Sequence, residues 1–385
     1  MRNFCTRLLI FLSPILCLVV LAGYLLITAR ETYTVDDIIQ LHQDGREYMI
    51  AKQYVPFDRS FKEDIYRLEK PEYITLGTSH MLVIRDTFFN PPQAFYNYDQ
   101  VGRPLAMRDW LQKEIRTNPE HLPKLILIGF EPTHFVKLDK PLTASEQWGV
   151  AQDGIGKIKW LQVFSDVMRD LLTRKVSLSE LTSATEDTII IGALAQRNEE
   201  GTLRDGSYTL RGYPYNNPDA PEYRFAQTRY SFDHGLGLFS VSDTLNTEAL
   251  EAVAEILKMA QDHDIYIAGF TTPFSPEAYR WMMESGTYGY LTLLDEKLKA
   301  LFLEHHMAYG NYADPATLGI TNEDFHDGAH YDESVAALIM YRLAEANDTF
   351  ARYIDLDTLT TFLQAHHKIP KPAIYHSAIL TGNAF

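Results

Sequence analysis

The pattern of apolar and polar positions divides the chain into unlike stretches. From Leu8 to Thr28 no residue is charged: LLIFLSPILCLVVLAGYLLIT. About 20 such residues are enough to cross a bilayer as a helix. The run is longer than the apolar region of a cleaved signal peptide, and Ile27-Thr28-Ala29 is a poor cleavage site. An uncleaved anchor over residues 1–30 is therefore expected. Residues 31–70, with Tyr, Asp and Lys interspersed, predict a juxtamembrane helical segment. From Tyr73 onward, short apolar runs alternate with helical periodicity. Tyr73 to Leu76 and Ala94 to Tyr98 read as strands, and Met107 to Arg116 as a helix. Leu125 to Ile128 is continuously apolar, as a parallel strand covered on both faces requires.

The same rhythm returns near the end. Asn246 is placed to cap a helix whose apolar face is Ala249, Leu250, Val253, Ala254, Leu257 and Ala260. Ile265 to Phe270 predicts a strand, residues 289–306 a helix, and Asp332 the cap of a last amphipathic helix through Val335, Leu338, Ile339 and Leu343. Strands separated by helices predict an α/β domain over residues 71–350, a doubly wound parallel sheet with right-handed crossovers. Residues 148–245 break the rhythm and end in a Gly-, Pro-, Asn- and Tyr-rich stretch. They read as an inserted lid above the sheet. Residues 351–385 read as a C-terminal helix and an irregular tail.

Charge and cysteine usage narrow the function classes. The chain holds 35 Lys and Arg against 51 Asp and Glu. Arg2, Arg7 and Arg30 belong to the anchor, which carries no acid, so the body has 32 basic and 51 acidic residues, net −19. Such a surface repels phosphate backbones, and nucleic acid is not an expected partner. Arg2 and Arg7 before the span, and Glu31, Asp36 and Asp37 after it, place the short tail inside and the body outside. In a bacterium that is the cytoplasmic membrane, crossed once, with the body in the periplasm or beyond. Both cysteines, Cys5 and Cys17, lie in the tail or the span. The body therefore offers no thiolate nucleophile or cysteine metal ligand.

Two short segments carry candidate chemistry. Gly77-Thr78-Ser79-His80 follows the first strand of the domain, and ligands of open α/β sheets sit beyond the carboxyl ends of strands. A serine hydroxyl needs a base, commonly histidine held by a carboxylate. Asp327-Gly328-Ala329-His330 supplies such a pair just before the last helix, with Gly328 free to bend the loop. Without that pair, Ser79 would read as an ordinary turn residue. His326 and His330 are four apart, but Gly328 between them opposes a helical zinc motif, and neither metal nor cofactor is expected. Glu131 and His134 follow the central strand near the same mouth and read as structural. His80 is a candidate substrate contact. Tyr208, Tyr213 and Tyr215 have aromatic faces suited to apolar sugar surfaces, with packing of the insert as the alternative.

GTSH after the first strand and DGAH before the last helix resemble the first and last blocks of the SGNH (GDSL-type) hydrolase superfamily. The resemblance implies a flavodoxin-like fold with Ser79 as nucleophile, Asp327 as acid and His330 as base. The anchor and the segments FYNYDQVGRPL, LILIGFEPTHF and IYIAGFTTPFSPEAYR are similar to one branch. Its members are the exported SGNH-like proteins of polysaccharide O-acetylation, the alginate type included, and of teichoic-acid D-alanylation. That branch implies a membrane-bound O-acyltransferase as partner and a cell-envelope polymer as acceptor. The second-block glycine matches Gly102, whose N–H would join that of Ser79 in an oxyanion hole. The third-block Asn has no counterpart, because Gly129 is followed by Phe130 and Glu131. Loss of one oxyanion donor costs about 10²–10³ in rate, which fits a slow transferase better than a fast esterase. The expected activity is thus serine-dependent acyl transfer or ester hydrolysis, acetyl by resemblance. The alternative is a non-catalytic scaffold that binds the polymer or the acyltransferase.

Overall fold

A computed structural model describes residues 2–57, 60–137, 159–173, 176, 188–210, 225–242 and 244–368. Among the described residues there are nine strands: β1 (Glu47–Ile50), β2 (Tyr73–Leu76), β3 (Phe95–Tyr96), β4 (Leu125–Phe130), β5 (Thr188–Ile191), β6 (Glu200–Leu203), β7 (Tyr208–Leu210), β8 (Tyr266–Thr271) and β9 (Ala308–Asn311). The larger sheet runs β3-β2-β4-β8-β9, and each neighbouring pair is parallel. The order reverses between β2 and β4, the place where a doubly wound sheet opens a crevice at its carboxyl edge.

The strand sequences explain why both faces are covered. Leu125 to Ile128 are wholly buried. Alternate residues point to opposite faces of a strand. Ile74, Leu76, Ile126, Ile128 and Ile267 share one apolar cluster with helices Pro104–Thr117, Thr247–Asp262 and Tyr290–Glu304. Tyr73, Leu125, Leu127, Ala268 and Phe270 share the other with helices Glu333–Ala346 and Leu356–Ala365. The α/β reading therefore holds. The caps fall where the polar residues preceding those helices put them. Asn246 Oδ1 accepts the Glu248 N–H at 3.1 Å, and Asp332 Oδ1 accepts those of Ser334 at 2.9 Å and Val335 at 3.1 Å.

Two parts of the chain differ from the sequence reading. Residues 31–70 are not helical throughout: helices Val35–Gln43 and Phe61–Glu69 flank strand β1. Within 148–245, the described residues supply β5, β6 and β7, which join β1 in a second sheet ordered β5-β1-β6-β7. β1 pairs in parallel with β5 and antiparallel with β6. That part of the insert completes a second sheet around β1. Residues 138–158, most of 174–187, 211–224 and 369–385 lie outside the described residues.

The N-terminal helix Arg2–Thr28 is apolar and long enough to cross a membrane, with mean hydropathy 2.4 over Phe11–Thr28. Its last turns are built into the body. Ala22, Leu25, Leu26 and Ala29 are buried against Tyr54, Val55, Val163, Val167 and Ala193. The Ala29 carbonyl accepts the Gly192 N–H at 2.7 Å, and Arg30 Nη1 donates to the Ile190 carbonyl at 2.8 Å. Glu31 is fully buried, and its carboxylate accepts the backbone N–H groups of Gln53, Tyr54, Val55 and Ala193 at 2.8, 3.1, 3.0 and 2.8 Å. The helix thus ends on the β1/β5 edge of the small sheet.

Candidate active site

Ser79 meets a pair of side chains from the far end of the chain, Asp327 and His330, at the carboxyl edge of the larger sheet. Ser79 opens a one-turn 3₁₀ segment, Ser79–Met81, just beyond β2. Gly77 makes that turn possible. It has φ +156°, and a Cβ there would stand 2.3 Å from Met81 Cγ. Met81 is fully buried beneath the turn, so the exposed Ser79 rides on an anchored support. Asn97 tightens it from the β3 side. Its Nδ2 donates to the carbonyls of Met81 at 2.7 Å and Ile84 at 2.9 Å, and its Oδ1 accepts the Thr75 hydroxyl at 2.8 Å.

Asp327 and His330 sit in a loop between β9 and the last long helices. A bridge between Phe325 and Tyr331 closes the loop at its base, and the His326 N–H donates to the His330 carbonyl at 2.7 Å. Asp327 Oδ1 accepts the N–H groups of Ala329 and His330, both at 2.8 Å. Its Oδ2 accepts from His330 Nδ1 at 2.7 Å. His330 Nε2 stands 2.8 Å from Ser79 Oγ. With the proton of the imidazole on Nδ1, Nε2 presents its lone pair to the serine hydroxyl, the arrangement a general base requires. Both ring nitrogens of His330 are therefore engaged.

The electrostatics follow from these contacts. Burial alone would raise the Asp327 carboxyl, but the hydrogen bond and charge of His330 and the two backbone N–H groups outweigh it, holding the pKa at about 2. Burial alone would lower His330. Its hydrogen bond to Asp327, the charge of Asp327 and that of Glu131 outweigh burial, so its pKa lies above the ordinary 6.5.

Among the described residues, neither the Ser79 N–H nor the Gly102 N–H donates to a backbone acceptor outside a helix or strand. Gly102 lies close against the turn, for a Cβ on it would meet Thr78 Cγ2 at 2.5 Å. Gly102 is thus a neighbour of the turn that carries Ser79.

A cavity of about 330 Å³ adjoins His330, lined in part by Thr228, Leu236, Leu238, Phe239 and Asp327. Its outer wall is helix Ala226–Asp233 and the 3₁₀ turn Gly237–Phe239. Here the insert does approach the site. Gly328 N–H donates to Thr228 Oγ1 at 3.0 Å, and a Cβ on Gly328 would stand 2.0 Å from Thr228 Cγ2. Only glycine lets the helix come so near the loop.

The other predicted site residues fall elsewhere. His80 is buried rather than presented to a ligand. Its Nδ1 stands 2.9 Å from Glu131 Oε1, and its ring stacks on that of His330, centroids 5.4 Å apart and 9° from parallel. Tyr208 belongs to β7. Its N–H donates to the Leu82 carbonyl at 2.7 Å, and its half-buried side chain packs on the second core cluster rather than lining the cavity. That contact holds Tyr208 beside the segment that follows the Ser79 turn. Tyr213 and Tyr215 lie outside the described residues.

Sequence reasoning missed Thr228, for which there was no local signal. It also gave Glu131 too little weight, although Glu131-Pro132-Thr133-His134 directly after a central strand was visible. No family model matches the chain, and no curated protein or solved structure matches it.

Proposed function

We propose that the chain is a membrane-anchored serine acyltransferase or esterase of the SGNH type, with Ser79 as nucleophile, His330 as base and Asp327 as the acid that orients it. One observation carries the reading: an exposed serine hydroxyl 2.8 Å from an imidazole whose other nitrogen is 2.7 Å from a carboxylate. The reversal of strand order beside β2 and the helices on both faces support a flavodoxin-like fold of that superfamily. The helix 226–233 acts as the lid over the triad loop.

The chemistry follows from the geometry. Ser79 Oγ attacks the carbonyl carbon of an acyl ester while its proton passes to His330 Nε2. The resulting imidazolium lies against ionised Asp327, and the oxyanion faces the N–H groups of Ser79 and Gly102. Collapse expels the alcohol, which takes its proton from His330, and leaves an acyl ester on Ser79. An acceptor hydroxyl then attacks the acyl carbon and gives its proton to His330, and as the bond to Ser79 Oγ breaks His330 returns that proton to the serine, restoring the triad. Resemblance makes the acyl group acetyl, the acceptor a sugar hydroxyl of an envelope polymer, the donor partner a membrane-bound O-acyltransferase, and the setting the outer face of the bacterial cytoplasmic membrane.

The test is turnover of a small acetyl ester by the full-length chain in detergent, together with labelling by a fluorophosphonate. The expected result is turnover and labelling that both vanish in Ser79→Ala while the thermal unfolding profile is kept. Equal turnover in the variant rejects the assignment.

A further inference from the structure

Behind the triad lies a second carboxylate whose contacts are directed at the same turn. Glu131 emerges from the carboxyl end of β4, next to β2, and its side chain is almost wholly buried. Burial of a carboxylate is costly unless donors surround it. Its donors are the Thr78 hydroxyl, His80 Nδ1 at 2.9 Å and His134 Nε2 at 3.3 Å. Two of the three come from the residues immediately before and after Ser79. A carboxylate serving only to join β4 to its own loop would be satisfied through His134, which lies three residues along the same segment.

The far side of His80 makes the arrangement more specific. Its ring lies nearly parallel to that of His330. The site therefore holds two carboxylate–imidazole pairs side by side, Asp327–His330 and Glu131–His80. The ring of Tyr331 flanks His80, centroids 6.0 Å apart.

We propose that Glu131 is a positioning residue of the Ser79 site: it pins Thr78 and His80 on either side of the nucleophile and, through the His80 pair, sets the base His330 in the field of a second anion. The proposal rests on the reading of Ser79, His330 and Asp327 as nucleophile, base and orienting acid. The charge on His330 grows when it takes the serine proton, so a fixed negative charge beside it favours that step and needs no rearrangement as it happens. Glu131 stays ionised, because the charges and hydrogen bonds of His134 and His80 outweigh the effect of burial and hold its pKa well below the ordinary 4.5. Among the described residues, the groups facing His330 include Ser79 and His80 from the β2 turn, Asp327 from its own loop, and Glu131 beyond His80. Those facing Glu131 are Thr78, His80 and His134.

Glu131→Gln keeps the size and removes the charge. The measurement is the imidazole titration of His330 by NMR in the full-length chain labelled at histidine, with His330→Gln to assign the signal. The expected result is a midpoint lower than wild type by on the order of one pH unit, the scale of a lost neighbouring charge. Glu131→Asp, which keeps the charge, should restore most of the shift. The acidic limb of kcat/KM against pH should move by the same amount. An unchanged His330 midpoint in Glu131→Gln overturns the proposal, even if the variant is less stable, because a purely structural ion pair would change only stability. Should the variant not fold, wild-type protein decides: coupled two-step titration of His80 and His330 supports the proposal, and independent one-step curves overturn it. The titration needs no substrate, so it stands or falls separately from serine chemistry, whose own failure would show as absent labelling of Ser79.

Discussion

Alanine at Gly328 should disable the site through a single methyl group. The added Cβ would lie 2.0 Å from Thr228 Cγ2 and 3.0 Å from its Oγ1. Carbon atoms rest at 3.5–4.0 Å, so the two must part by about 1.5 Å or more. Thr228 Cγ2 is not the end of a flexible chain. Rotating it away moves Oγ1 as well, and that oxygen accepts the buried Gly328 N–H at 3.0 Å. The protein must therefore overpack, at about 1–3 kcal/mol, or leave the N–H unpaired, at about 1–3 kcal/mol. We expect about 2 kcal/mol of destabilisation. The loss of activity should be larger than that implies. Gly328 lies between Asp327 and His330, and an error of about 1 Å in a catalytic group costs on the order of 100-fold.

Thr228→Ser provides the control, because it removes the clashing methyl and keeps the hydroxyl. Serine alone should be close to wild type. Combined with Gly328→Ala, it should return most of the lost stability and activity, giving a coupling energy of about 1–2 kcal/mol. The assays are thermal unfolding of the full-length chain in detergent and turnover of a small ester. If Gly328→Ala keeps full activity, or if serine at 228 rescues nothing, then the helix 226–233 does not sit on the triad loop as described.

Two further expectations concern the base and the anchor. Activity should rise with pH through a midpoint above 6.5, since His330 must be neutral to accept the serine proton and its pKa is raised; Asp327→Asn should lower that midpoint and the rate by on the order of 10³–10⁴, and an unmoved midpoint would mean that Asp327 does not govern the imidazole. For stability the sign runs the other way: the His330–Asp327 attraction contributes in full between the ordinary carboxyl value of 3.8 and pH 6.5, fades as pH climbs past the folded His330 midpoint, and is lost again in acid as pH falls toward about 2 and Asp327 takes a proton. Glu31→Ala should strand four backbone N–H groups and lower stability by at least about 3 kcal/mol, seen as a lower unfolding temperature and new proteolysis near residue 30; no change in either would show that the end of the apolar helix is not held by Glu31.

What the sequence disclosed and what it withheld follow one physical line. Ser79, Asp327 and His330 were legible because each is placed by a local signal: an apolar strand stopped by Gly77, an Asp cap at 332, and a glycine in a loop just before that cap. Pairing between β1 and β5 has no such signal. Met49 meets Ile190 across a parallel register whose partners lie more than a hundred residues apart, and a four-residue strand such as Glu47–Ile50 has too short a period to declare itself. Residues 31–70 were therefore read as helical throughout, and the insert as a lid.

The donors that surround Glu31 and Glu131 were hidden for a related reason, although Glu131 itself was placed near the mouth of the site. A carboxylate in sequence reads as solvated surface, because Glu is rarely fully buried without partners. What inverts that expectation is a ring of donors assembled from several segments: residues 53–55 and 193 around Glu31, and residues 78, 80 and 134 around Glu131. Each ring forms only once β1 and β5, or β2 and β4, lie side by side. The two glutamates do corresponding jobs: one fastens the end of the apolar helix to the small sheet, and the other fastens the Ser79 turn to the large one. The buried acid after a central strand is thus better judged by the donors its neighbouring strands bring to it than by its own place in the chain.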